Sequence, residues 1–158
     1  MNRIKPLTSL DGYVVRMLFR SIFDQSEDRF FSQAWRTRSL ALGVTEPVTE
    51  TLLAAAIVCG NKLEYIFVSE AHQGAGIGSL LLKELLQRKP ALYLVPIQNP
   101  DVFRWYERHG FHIESRFKQP SLYIMYPYAL RSISMNVTAP VQEGTRSRAR
   151  TIGGRRRR

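Results

Sequence analysis

One cysteine, Cys59, stands in 158 residues, which leaves neither a disulfide nor a cysteine-based zinc site within one chain. No stretch approaches the ~18 consecutive apolar residues of a membrane helix, so neither a span nor a membrane partner is expected. The opening Met1-Asn2-Arg3-Ile4-Lys5-Pro6 does not run on into an unbroken apolar segment, so no secretory signal is expected. These absences point to an intracellular, cytoplasmic protein with a reduced thiol and no metal. Without a secretory route the sequon Asn136-Val137-Thr138 has no glycan to accept. Aromatic residues stop at Tyr128, so stacking on single-stranded nucleic acid is not expected beyond it.

What is abundant is arginine at one end. Residues 131–158 hold eight arginines against one acid, Glu143, a charge of +7, and leave only +3 of the total +10 for the first 130 residues. The chain therefore reads as a nearly neutral domain, 1–130, followed by a basic tail, 131–158. The tail has too few large apolar residues to offset its ordering entropy, and disorder is expected there. It is either a solvated extension or a segment with nonspecific affinity for nucleic acid and other polyanions, which would also admit a nuclear location.

Within the domain, Val14, Val15, Leu18, Phe19 and Ile22 recur at helical spacing after Asp11, and Phe30, Phe31 and Trp35 suggest a second helix. Residues 39–44, 51–58 and 62–69 read as strands, with Gly60-Asn61 suited to a tight turn. The last of these strands is apolar on both faces and is expected to be central. Leucines 80, 81, 82, 85 and 86 stripe a third helix that Pro90 stops. A strand is expected over 91–97. Asn99-Pro100-Asp101 then opens a capped helix that Gly110 closes, before strands 111–117 and 122–128. The order is β-α-α-β-β-β-α-β-α-β-β, a mixed α/β pattern.

Two segments carry chemistry. Gln73-Gly74-Ala75-Gly76-Ile77-Gly78 joins the central strand to a helix, where free N–H groups unobstructed by Cβ atoms can cradle phosphate oxygens. Gly-Lys-Ser/Thr is missing, which argues against a P-loop. The glycines follow a late strand of an antiparallel-looking run, which argues against a dinucleotide-binding βαβ unit. The second segment, Asn99 to Phe111, sets Tyr106 in the capped helix; by itself this is a core aromatic.

Taken together, the segments resemble the GNAT (GCN5-related N-acetyltransferase) superfamily. Gln73 to Gly78 is similar to its Gln/Arg-x-x-Gly-x-Gly/Ala motif, and Asn99 to Phe111 to its Asn, aromatic-Tyr, Gly-Phe motif. Val102 departs from the small residue more usual there. The resemblance covers about residues 1–130 and implies a single domain with a mixed, largely antiparallel central sheet flanked by helices. It implies an acetyl-CoA-dependent N-acetyltransferase acting on a small amine, a polyamine, a protein lysine or an N-terminus, as a monomer or a homodimer. The amides of Gln73, Gly74, Ala75, Gly76, Ile77 and Gly78 would hold the pyrophosphate, and Phe67 and Val68 would pair with the pantetheine arm as an added strand would. Asn99 would bond the same arm, and Tyr106 would protonate the departing thiolate. An amine must lose a proton before attack. Glu64 is the candidate base, placed by strand parity on the face of Ile66 and Val68, although an ion-paired strand residue would look the same. His72 and His109 are weaker candidates. The acids of Asp24-Gln25-Ser26-Glu27-Asp28 would either attract a cationic acceptor or form a solvated turn in which Ser26 caps the next helix. The rival reading is a catalytically weak module of this fold whose basic tail binds nucleic acid.

Overall fold

The computed structural model describes residues 1–97, 99–113, 125–127 and 150–152. Strand β1 (Arg3–Pro6) leads into helices α1 (Gly12–Ile22) and α2 (Asp28–Thr37). Strands β2 (Leu40–Thr45), β3 (Leu52–Cys59) and β4 (Lys62–Val68) follow, then α3 (Ile77–Arg88) and β5 (Tyr93–Leu94). Helix α4 (Pro100–Arg108), β6 (Phe111–Ile113) and β7 (Met125–Pro127) complete the expected order. Of the two last expected strands, residues 114–117, 122–124 and 128 lie outside the described residues. Within the tail expected to be disordered, Arg150–Ile152 instead form a strand, β8; the rest of 131–158 lies outside the described residues.

The sheet runs β1-β2-β3-β4-β5-β7-β6, with β8 also on β4. Strands β1 to β4 are antiparallel neighbours, whereas β5 and β8 both run parallel to β4. Nearly every residue of β3 and β4 is buried, as a central position between two helical layers requires. On one side α3 and α4 bring Leu81, Leu82, Leu85, Val102 and Tyr106 against Ala56, Val58, Ile66 and Val68. On the other, α1 and α2 bring Val15, Phe19 and Phe31 against Ala55, Ile57, Tyr65 and Phe67.

Helix α1 corrects one expectation. Val15 and Phe19 are fully buried, but Val14 turns to solvent beside Tyr13 and Met17. The start of α2 corrects another. Asp24, not Ser26, is the capping side chain, and it caps the 3-10 turn Gln25–Glu27 that leads into α2, accepting from the Ser26 N–H at 3.2 Å, while Glu27 at the start of α2 itself makes no side-chain cap bond. Asp28 pairs with Arg20 at 3.2 Å.

The feature that shapes the site is a bulge in β4. Ile57 faces Tyr65 and Val58 faces Leu63, so Glu64 has no partner on β3. One extra residue kinks the strand, sharpens its twist and inverts the alternation of side chains. Leu63 therefore packs in the same cluster as Ile66. The parity that placed Glu64 on the face of Ile66 and Val68 does not hold across this point. Strand β5 pairs with β4 only before the bulge, at Lys62 and Leu63. Leu94 of β5 also pairs with Met125 of β7 on its other edge, and beyond the bulge the β4 edge at Tyr65, Ile66 and Phe67 is met by β8.

Candidate functional site

A cleft of about 320 Å³ opens where β4 gives way to α3. Its floor is Ile66, Phe67 and Val68, and its end wall is the loop Gln73, Gly74, Gly76, Ile77 and Gly78. Ser79 continues that wall, while His72, Trp105, Arg108 and His109 form the rim.

The loop is built for close approach of an anion. After β4 a single 3-10 turn, Glu70–His72, redirects the chain, and Ser69 Oγ lies 3.3 Å from His72 Nδ1. The Gln73 side chain donates from Nε2 to the Val68 carbonyl at 3.1 Å, tying the loop back to the strand it leaves. Gly74 and Gly76 both hold positive φ, 82° and 80°, which side chains with a Cβ adopt only under strain. Their absent Cβ atoms would meet nothing within 4 Å, so the space above the loop is open. Gly76 is the N-cap of α3 and supplies no side-chain acceptor, so the first N–H groups of the helix lack a cap. Those donors and the positive end of the helix dipole face the cleft with Arg108 at its rim. The residues present fit a pyrophosphate.

Helix α4 presents two faces. Asn99 accepts from the Asp101 N–H at 2.9 Å and Pro100 takes the first turn, which fixes where the helix starts. Trp105, Arg108 and His109 share the cleft side, with the Trp105 and His109 rings 4.6 Å apart. His109 Nδ1 lies 2.7 Å from the Trp105 carbonyl, to which it donates, leaving Nε2 toward other partners. Tyr106 points the other way into the core and is fully buried, its ring edge-on to Trp105 at 4.9 Å and to Phe111 at 5.7 Å.

Of the residues singled out from sequence, the fold thus brings Phe67, Val68, Gln73, Gly74, Gly76, Ile77 and Gly78 together on one cleft, with His72 and His109, the weaker candidate bases, at its rim. Ala75 lies within the loop but not on the cleft lining. Asn99 serves as a helix cap, and Tyr106 forms part of the core beneath Trp105. Glu64 sits apart from the cleft lining, paired with Lys62 at 3.5 Å in a setting where both side chains are mostly covered. Its charge is felt nearby. Burial pushes both the Cys59 thiol and the Tyr93 hydroxyl above their ordinary values, and Glu64 adds to each, while a Thr37 hydrogen bond opposes the shift at Cys59. Sequence reasoning passed over Ile66, Ser79, Trp105 and Arg108. The i, i+3, i+4 spacing of Trp105, Arg108 and His109 was the signal available for a common face. Among the described residues no group of three His, Cys, Asp or Glu could hold a metal ion, and no helix is long and apolar enough to cross a membrane.

Residues 45–113 match the family model described as the acetyltransferase (GNAT) domain. No curated protein sequence matches the chain. Among solved structures, the ribosomal-protein-S18-alanine N-acetyltransferase of Escherichia coli is 25% identical, with a TM-score of 0.57 over 79% of this chain and 92% of that one. Arabidopsis thaliana Naa50, in complex with the bisubstrate analogue CoA-Ac-MVNAL, is 17% identical, with a TM-score of 0.59 over 78% and 96% of the two chains. The PaiA N-acetyltransferase of Thermoplasma acidophilum, in complex with coenzyme A, is 17% identical, with a TM-score of 0.52 over 81% and 99%. These last two show the shared fold.

Proposed function

Since the chain belongs to the GNAT acetyltransferase superfamily, we propose that it moves an acetyl group from acetyl-CoA directly to an amine, with an N-terminal α-amine as the acceptor of first choice. The observation that carries this reading is the uncapped start of α3, held open by two left-handed glycines at the end of a bulged strand.

In this reading the amides from Gly74 to Gly78 hold the pyrophosphate. The main-chain groups of Phe67 and Val68 align the pantetheine arm along β4. Trp105 and His109 wall the cleft against water, and Arg108 lies close enough to its rim to meet a phosphate. The amine nitrogen attacks the thioester carbonyl, the C–S bond breaks, and the amine's proton leaves to water. For Tyr106 to supply the proton that the departing thiolate takes up, the acyl end of the arm must pass beyond the cleft lining to the core side of α4, where that side chain is buried.

The acceptor class follows from what surrounds the site. Glu64 is held by Lys62 rather than on the cleft lining, so among the described residues the bases that line it are the imidazoles of His72 and His109, weak against a lysine ammonium. An α-amine, with a reference pKa of about 7.7–8.0, needs far less help than a lysine at about 10.4. Asp24 and Asp28 are engaged in the turn before α2, which weakens the case for an acidic lure toward polyamines. The Escherichia coli and Arabidopsis proteins point the same way by name and by ligand.

Release of CoA thiol across a panel of peptide N-termini, lysine peptides and polyamines tests the proposal. Turnover is expected on the N-terminal peptides first; turnover confined to polyamines would overturn the acceptor class but keep the chemistry. Tyr106→Phe is expected to lower turnover by about 10²–10⁴-fold while acetyl-CoA binding persists. Unchanged turnover would leave Tyr106 as a core aromatic and nothing more.

A further inference from the structure

Strand β8 pairs with β4 in the register Tyr65↔Arg150, Ile66↔Thr151 and Phe67↔Ile152. It lies on the edge that faces away from β3, the edge that β5 abandons after Leu63. That edge begins at the bulge and ends at the Gln73–Gly78 loop. It is also the edge at which the arm of the acyl donor would lie. The main-chain groups of one strand edge pair with one extended partner at a time. We propose that this stretch of β4 is a strand-docking site shared by acetyl-CoA and by Arg150–Ile152 of the chain's own tail, so that the tail competes with the acyl donor. The inference rests on the reading of the cleft given above.

The composition of the tail suits such a competitor. Main-chain pairing asks little of side chains, and Thr151 and Ile152 are β-branched residues that favour extended backbone. The chain has no lysine after Lys118, so the docked segment offers no side-chain amine to be acylated. Its arginines stay protonated and are not nucleophiles. The tail can therefore occupy the edge without being consumed. A pairing of three residues is short enough to exchange with a ligand that also fills the cradle. If the docked form outnumbers the free one by roughly ten to one, the apparent dissociation constant for acetyl-CoA is about eleven times the intrinsic one.

The test uses the full chain and the variant Thr151→Pro/Ile152→Pro, which removes a pairing N–H from whichever alternate residue faces β4. Acetyl-CoA affinity is measured by calorimetry, and amide exchange is followed at residues 65–67 and 150–152. The variant is expected to bind acetyl-CoA about tenfold more tightly. In the unaltered chain, saturating acetyl-CoA should strip protection from residues 150–152 while 65–67 stay protected. A synthetic peptide spanning residues 146–154 should weaken acetyl-CoA binding to the variant in competitive fashion. Equal affinities, with 150–152 still protected in the acetyl-CoA complex, overturn the competition and leave the cofactor site standing. Failure of both proteins to bind acetyl-CoA overturns the cofactor site, and the competition with it.

Discussion

Gly76→Val is expected to raise the dissociation constant for acetyl-CoA by about 100-fold or more, while the protein still folds. Two effects act together. Gly76 holds φ 80° at the N-cap of α3, a conformation that costs a β-branched residue on the order of 1–3 kcal/mol. The added side chain would meet no protein atom within 4 Å of its Cβ, so the fold itself has room for it. That room is the space into which the uncapped N–H groups of α3 point, and a valine there displaces the phosphate they would hold. A 100-fold loss is about 2.8 kcal/mol, in line with losing one or two charge-assisted hydrogen bonds. Calorimetry with acetyl-CoA, beside a thermal melt, separates the two effects. Unchanged affinity would place the phosphates elsewhere. A melt lowered by more than about 10 °C would mean that the loop supports the fold more than the strain alone requires.

The second large effect concerns stability. Phe19→Ala is expected to cost about 3–5 kcal/mol, out of a total of about 5–15 for a domain of this size. Phe19 is fully buried where α1 meets α2 and the sheet. It stacks on Phe23 at 4.4 Å and on Phe31 at 4.3 Å, and meets Tyr65 and Phe67 edge-on at 5.3 and 5.7 Å. Truncation removes all four ring contacts and leaves a cavity that neighbouring rings cannot fill without leaving their rotamers. Urea unfolding should show a lower midpoint with an unchanged slope. Met17→Ala, on the solvent face of the same helix, should move stability by no more than about 0.5 kcal/mol. A Phe19→Ala cost under 1 kcal/mol would show that the aromatic cluster is loosely packed. Because Tyr65 and Phe67 lie on β4, the same variant should also weaken binding at the cleft.

Local features were legible from sequence because their causes are local. The glycine loop, the Asn99-Pro100 helix start and the left-handed glycines at 60 and 110 depend on a few adjacent residues. The order of the first eleven elements followed from apolar periodicity and from turn residues. What escaped depends on distant partners. The bulge at Glu64 is defined only against β3, so a parity argument along β4 had no means of detecting it. The inward turn of Tyr106 and the outward turn of Trp105 depend on how α4 rolls against the sheet. Asn99 satisfies a cap at its own helix start, a role that competes with any ligand bond. Strand β8 joins positions 85 residues apart through a three-residue segment with almost no apolar pattern, and composition alone marked it as disordered.

The bulge at Glu64 also has a meaning independent of the carboxylate it contains. Between one paired position and the next, β4 advances two residues while β3 advances one, Val58 with Leu63 and then Ile57 with Tyr65. The split in the sheet is therefore set by a count of residues and not by their kind. Replacing Glu64 alters the charge felt by Lys62, Cys59 and Tyr93, yet leaves that count intact. Removing the residue would shift the phase of the strand, exchanging which side chains meet each helical layer and drawing the two parallel strands together. The opening is thus written into the chain as a length, and a shape recorded in that way survives a change of side chain but not a deletion.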